Sequence, residues 1–156
     1  MLKEGDKAPS FNMPTNKGEN VSLSKLKGQK IVLYFYPRDD TPGCTKEACG
    51  FRDDLSKYKR AGAVVVGVSR DSIESHEKFV KKFNLNFTLA SDKDGDACEK
   101  YDAWRLKNMY GKEYMGIGRS TFLIDTKGKI HKIWSKVKVD GHVDEAVAAV
   151  AAEEVV

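Results

Sequence analysis

Cysteine is scarce in this chain: three in 156 residues, an odd count with no Cys-x-x-Cys pair. That scarcity excludes a disulfide-stapled secreted scaffold and argues against both a thioredoxin-type reductase pair and a zinc site assembled from Cys44, Cys49, Cys98 and His76. It points to a reducing compartment, by default the cytoplasm, and to thiols kept for chemistry. Long apolar runs are also missing; none approaches the ~20 residues that span a bilayer. Residues 1–6 lack an apolar h-region, so no secretory signal is expected. Charge of one sign is absent too, since 27 Lys+Arg against 23 Asp+Glu leave a net charge of only +4. The basic residues alternate with acids and are not interleaved with exposed aromatics, which excludes nucleic acid as the expected partner. What remains is an ordinary globular composition, 40% hydrophobic and 32% charged. It is enough for a core without staples and predicts one domain over residues 1–156.

The densest chemical signal is Tyr36-Pro37-Arg38-Asp39-Asp40-Thr41-Pro42-Gly43-Cys44-Thr45-Lys46-Glu47-Ala48-Cys49. It follows Ile31-Val32-Leu33-Tyr34-Phe35-Tyr36, an unbroken apolar run suited to a strand buried on both faces. Thr41 has helix N-cap chemistry, and Pro42 fits the first helical position, where a missing N–H costs nothing. Cys44 then lies in the first turn, beside unpaired N–H groups and the positive end of the helix dipole, a setting that favours thiolate.

Helical spacing adds a constraint. Cys44, Ala48, Phe51, Leu55 and Tyr58 fall at i, i+4, i+7, i+11 and i+14, one core-facing stripe. Cys49 is turned about 140° away from Cys44, with Cα atoms roughly 8–9 Å apart in an ideal helix. A disulfide needs less than about 7 Å, so the two cysteines can pair only if this segment unwinds.

Elsewhere, Phe11, Met13, Val21 and Leu23 alternate about a turn at 14–18, which predicts a hairpin. The helix from 42 to 60 stops near Gly62, and 63–68 reads as a second buried strand. Asp71-x-x-Glu74 is a capping-box pattern for a helix whose apolar side carries Ile73, His76, Phe79, Val80 and Phe83. Residues 86–90 read as a strand and 96–101 as a short helix. The aperiodic segment 103–118 reads as a long loop, a frequent location for function. Residues 119–125 and 129–134 make a hairpin about 126–128. A final helix turns Val143, Ala146, Val147 and Val150 inward. The pattern alone gives an α/β chain with a mixed sheet flanked by helices.

Other signals are weak. Asp92-Lys93-Asp94-Gly95-Asp96 places its glycine too early for a calcium loop, and Ala103 stands where the closing Glu belongs. Gly116-Ile117-Gly118 does not complete a dinucleotide fingerprint. His131 and His142 read as surface residues. Trp104, Tyr110 and Met115 read as core packing, with a collar near the site as the alternative.

Pro37-x-x-x-Thr41-x-x-Cys44 with a cysteine five residues further on resembles the active-site signature of peroxiredoxins, more narrowly the bacterioferritin comigratory protein or peroxiredoxin Q branch. Tyr34-Phe35-Tyr36-Pro37, Phe51-Arg52-Asp53 and Arg119-Ser120-Thr121-Phe122-Leu123-Ile124-Asp125 extend the likeness over nearly the whole chain. The resemblance implies a thioredoxin-like fold with an N-terminal β-hairpin extension and a peroxidase without metal or organic cofactor. It implies Cys44 as the attacking thiolate, Cys49 as the resolving thiol, Thr41 and Arg119 as peroxide-positioning donors, and Pro37 as a shield from water. Glu47 is a candidate to orient the arginine, and Cys98 is read as structural, with an alternative resolving role in some relatives. Thioredoxin or a similar dithiol is the implied reductant, and a monomer or weak dimer the implied state. A redox sensor or relay switching a partner through Cys44 and Cys49 is the rival reading.

Thiolate population alone does not make a peroxidase. Lowering a cysteine pKa from ~8.5 to ~6 raises the thiolate fraction at pH 7 at most about 30-fold. The thiol–disulfide Brønsted slope takes back about 10- to 18-fold in nucleophilicity. The larger effect must come from fixed donors facing the charge that develops on the peroxide oxygens.

Overall fold

The computed structural model describes residues 1–152. The apolar run becomes β3 (Lys30–Phe35), with every residue buried. It occupies the centre of a five-stranded sheet in the order β5-β4-β3-β8-β9. On one side it pairs in parallel with β4 (Ala63–Ser69), which in turn pairs in parallel with β5 (Thr88–Ser91). On the other side it pairs antiparallel with β8 (Ser120–Ile124), which forms a hairpin with β9 (Ile130–Trp134).

Side chains of a strand alternate between its two faces, and β3 divides two cores accordingly. Ile31, Leu33 and Phe35 join Val66, Val68, Phe122, Tyr101 and Cys98 on one face. Val32, Tyr34 and Tyr36 join Cys44, Ala48, Phe51, Leu55 and Tyr58 on the other. These last five are the predicted stripe of α1 (Pro42–Arg60), all buried. Phe51 is fully buried and stacks on Tyr34 at 4.6 Å between ring centroids, a burial that stabilises by about 2–3 kcal/mol. Gly62 sits just past the end of α1 at φ +79°, the left-handed conformation that closes a helix at low cost to glycine.

The same face carries Phe79 of α2 (Ile73–Phe83) and Val143, Ala146 and Val150 of α4 (His142–Ala152). The opposite face carries α3 (Asp96–Lys100) and the N-terminal hairpin, β1 (Asn12–Pro14) with β2 (Asn20–Ser22), in which Met13 pairs with Val21. No helix among the described residues is long and apolar enough to cross a membrane.

Four expectations change. The segment 103–118 is an antiparallel ribbon, β6 (Trp104–Met109) with β7 (Lys112–Ile117), turning through Tyr110 and Gly111, both at positive φ. Both central residues at positive φ match a two-residue type I′ hairpin turn. Tyr110 is 99% and Met115 50% exposed, so neither packs in the core. Helix α2 is capped by Ser72, whose side chain accepts from the Ser75 N–H, while the Asp71 carboxylate is bound to Ser69 Oγ and the Asp39 N–H. His142 is buried, its Nε2 2.8 Å from Thr121 Oγ1 and its ring edge-on to Trp134.

Candidate active site

Past Phe35, Tyr36 continues the ladder through its N–H to Val68 O, and the chain then turns through 37–41. Asp40 takes a positive φ of 57° at this corner. Thr41 has the extended backbone of an N-cap, but its hydroxyl donates to Arg38 O at 2.8 Å and caps nothing. The first helical bond runs from Thr45 N–H to Thr41 O. Gly43 and Cys44 N–H therefore precede the helix ladder and have no acceptor within it.

Cys44 is 1% exposed at this helix start. Arg119, just before β8, reaches across from 75 residues away, with Nη2 donating to Cys44 Sγ at 3.4 Å and Nη1 to Glu47 Oε1 at 2.7 Å. Two positive features, a guanidinium and a helix N-terminus, thus converge on one sulfur. Gly43 leaves room for this, since a Cβ there would stand 3.2 Å from Arg119 Nη2.

Glu47 is fully buried, and its Oε2 has no partner among the described residues. Burial pushes its carboxyl up to about 7, against the pull of the Arg119 guanidinium. Arg119 moves the other way from the burial that opposes its charge: Glu47 and Cys44 outweigh it and hold the guanidinium proton more firmly.

Pro37 is half-buried and lines a cavity of about 630 Å³ with Arg38, Arg70, Trp104, Lys107 and Tyr114. Lys107 is a site residue that the sequence did not flag. Its ammonium donates to Ile117 O at 2.9 Å, and burial, then Arg119, lower its pKa. Reading 103–118 as a loop hid it, because only a formed ribbon aims position 107 at the site.

The three cysteines are free thiols. Cys49 is half-buried on α1, within the same unbroken helix as Cys44. Cys98 belongs to the core on the opposite face of the sheet from Cys44, and burial followed by its hydrogen bond with Asp92 pushes its thiol pKa well up. Asp39, Asp71 and His76 lie close enough to hold a metal ion, their ligand atoms all within 4.8 Å. Their polar atoms already face one another and Tyr36, Ser69 and Ser75 in hydrogen bonds.

A fold of this kind with such a site defines a class: an α/β thiol protein presenting one buried cysteine at a helix start beneath an arginine from the lead-in to a distant strand. Residues 4–133 match the model of the AhpC/TSA family. Peroxiredoxin Bcp of Bacillus subtilis is 54% identical over 146 residues, 94% of this chain and 93% of that protein. Peroxiredoxin Bcp of Escherichia coli K12 is 46% identical over 143 residues, 92% of each chain. A solved peroxiredoxin Q of Xanthomonas campestris superposes with a TM-score of 0.88 at 43% identity, covering 92% of this chain and 90% of that one. A solved cysteine-to-serine mutant of PrxQ from Xylella fastidiosa gives 0.93 at 36% identity, covering 97% of both. The chain belongs to the AhpC/TSA family, in the bacterioferritin comigratory protein and peroxiredoxin Q branch of the peroxiredoxins, and its fold is thioredoxin-like.

Proposed function

We propose that the protein is a thiol peroxidase that reduces hydrogen peroxide and organic hydroperoxides in a reducing cytoplasm, with thioredoxin or a similar dithiol protein as its reductant. The observation that carries this is the Arg119 Nη2 to Cys44 Sγ contact of 3.4 Å at the open end of α1. Alkyl peroxide reduction has been studied in the bacterioferritin comigratory protein of Xanthomonas campestris, which favours organic hydroperoxides as substrates here.

The Cys44 thiolate attacks one oxygen of ROOH, an S–O bond forms as the O–O bond breaks, and RO⁻ leaves to take up a proton as ROH. Arg119 and the Gly43 and Cys44 N–H groups stabilise the charge spreading over both oxygens. Thr41, whose hydrogen is committed to Arg38 O, offers its oxygen as acceptor for the peroxide O–H. Pro37 walls the site from water. The first turns of α1 then melt, the Cys49 sulfur displaces water from the Cys44 sulfenic acid, and a 44–49 disulfide forms. A dithiol reduces it by exchange. The burial of Cys98 behind the sheet supports Cys49 as the resolving thiol.

The test is peroxide consumption with thioredoxin, thioredoxin reductase and NADPH. Cys44→Ser should abolish it, and residual turnover would end the proposal. Cys49→Ser should keep one round of peroxide reduction, then stall with a trappable sulfenic acid. Mass analysis of the peroxide-treated parent should find the 44–49 link; a link to Cys98 or between chains refutes the resolving role. A stable oxidised form that is not turned over but binds a partner would favour the relay instead.

A further inference from the structure

The catalytic cycle proposed above asks the start of α1 to melt and reform at every turnover, and something must hold the rest of the peroxide site in place meanwhile. Asp39, two residues after Pro37 and two before Thr41, is 8% exposed although it sits in a turn. Its Oδ1 accepts from Tyr36 OH and its Oδ2 from Ser75 Oγ at 2.8 Å. Oδ2 also lies 2.7 Å from His76 Nδ1, and the Asp39 N–H donates to Asp71 Oδ2 at 2.8 Å. The partners come from the end of β3, from α2 and from the turn before α2, and none comes from α1. All of these bonds can therefore survive when α1 loses its first turns.

The histidine side is fixed as firmly. His76 is fully buried, and its Nε2 lies 2.9 Å from Ala90 O. A carbonyl oxygen accepts and never donates, so Nε2 carries a hydrogen. Nδ1 is held against the Asp39 carboxylate. A ring flip would put carbon atoms against both acceptors, so the ring is locked. Lys82 pairs with Asp40, the residue at positive φ, which marks the corner between the tethered turn and the helix.

Past that corner the ties are lighter. Thr41 caps nothing, Gly43 is a poor helix former, and the Lys46–Asp140 pair is exposed. We infer that His76 and Asp39 are positioning residues that hold the 37–41 turn while the start of α1 melts, so that Pro37 and Thr41 stand ready when Cys44 returns. The inference rests on the peroxidase reading, and it assigns the boundary of the melting segment to the stretch between Asp39 and Cys44.

The direct measurement is amide hydrogen exchange on the parent in its reduced and Cys44–Cys49 disulfide forms. Asp39 should keep its protection in both, while 45–49 lose theirs in the disulfide form. Loss of protection at Asp39 on oxidation overturns the inference. The kinetic measurement uses His76→Asn and the milder Ser75→Ala, which leaves the His76–Asp39 pair intact. The second-order step of Cys44 with hydrogen peroxide should slow about 10-fold in the first and about 3-fold in the second, the range of a lost hydrogen bond to a charged or a neutral group. The first-order closure of the 44–49 disulfide should stay within about twofold, because that step does not need the turn. A general loss of structure would slow both steps together. If folded Ser75→Ala and His76→Asn both react with peroxide at the parent rate, the inference fails while the peroxidase reading stands. A parent that consumes no peroxide takes both down.

Discussion

Glu47→Gln separates the charge of the pocket floor from its shape. The glutamine keeps an oxygen to accept from Arg119 Nη1, now 2.7 Å from Glu47 Oε1, but cannot ionise. In the parent, burial raises the Glu47 carboxyl from 4.5 to about 7. A raised folded-state pKa means that the native protein holds this proton more tightly than the unfolded chain. The stability it contributes is fully present below about 4.5 and is lost as pH rises through about 7. At 1.36 kcal/mol for each step of one in pKa, the rise amounts to about 3 kcal/mol. The variant has no such dependence at this position. Its stability relative to the parent should therefore climb by about 3 kcal/mol between pH 4.5 and pH 8. Urea unfolding of the reduced proteins at four or five pH values across that range measures the difference. Any pH-independent cost of seating the amide offsets the whole series and leaves the slope untouched. A flat difference would falsify the assignment of a strained, desolvated carboxyl beneath Arg119.

Arg119→Lys should slow the reaction of Cys44 with peroxide by about 10²–10³, because one ammonium cannot span both Cys44 Sγ and Glu47 Oε1 as the fork of two nitrogens does; a loss below tenfold in stopped-flow fluorescence would remove Arg119 from that role. Gly67→Ala would put a Cβ 2.8 Å from the Tyr34 ring and hydroxyl and 2.9 Å from Leu89 Cδ2. Overpacking there should cost about 1–3 kcal/mol in urea unfolding, with peroxide turnover retained at 25 °C. Cys98→Ala should leave both peroxide turnover and the 44–49 link unchanged, read by coupled assay and mass analysis; a slowed resolution step would contradict its place behind the sheet.

The central elements were legible because their sequence carries a strong period. The run 31–36 and the stripe Cys44, Ala48, Phe51, Leu55, Tyr58 became β3 with Tyr36 and the inner face of α1. The 119–134 hairpin was legible from its turn at Thr126-Lys127-Gly128, and the strands formed within a residue of the expected bounds. The ribbon at 104–117 left no such mark. Much of it is exposed on both faces, so there is no apolar alternation to read, and its turn is Tyr-Gly rather than Asn-Gly or Asp-Gly. The cap of α2 slipped by one residue because the Asp71 carboxylate is drawn to Ser69 and to the Asp39 N–H, a tie between segments 32 residues apart. The spacing of the motif placed Cys44, but the Arg119 contact came from the family likeness, since nothing local to residue 119 says where its guanidinium goes. His76 looked like one more residue on an apolar helix face, and only the fold reveals the carboxylate opposite it.

Gly43 lies inside a helix with ordinary backbone angles, so its lack of a side chain answers to the guanidinium packed against it rather than to the shape of the chain. That vacancy has a second effect. Glycine in a helical turn forfeits about 1 kcal/mol relative to alanine, and it does so in the very turn that must come apart for two sulfurs to meet. Space for the cation and ease of uncoiling are therefore inherited from a single missing methyl group, and adding that methyl at 43 takes from both at once.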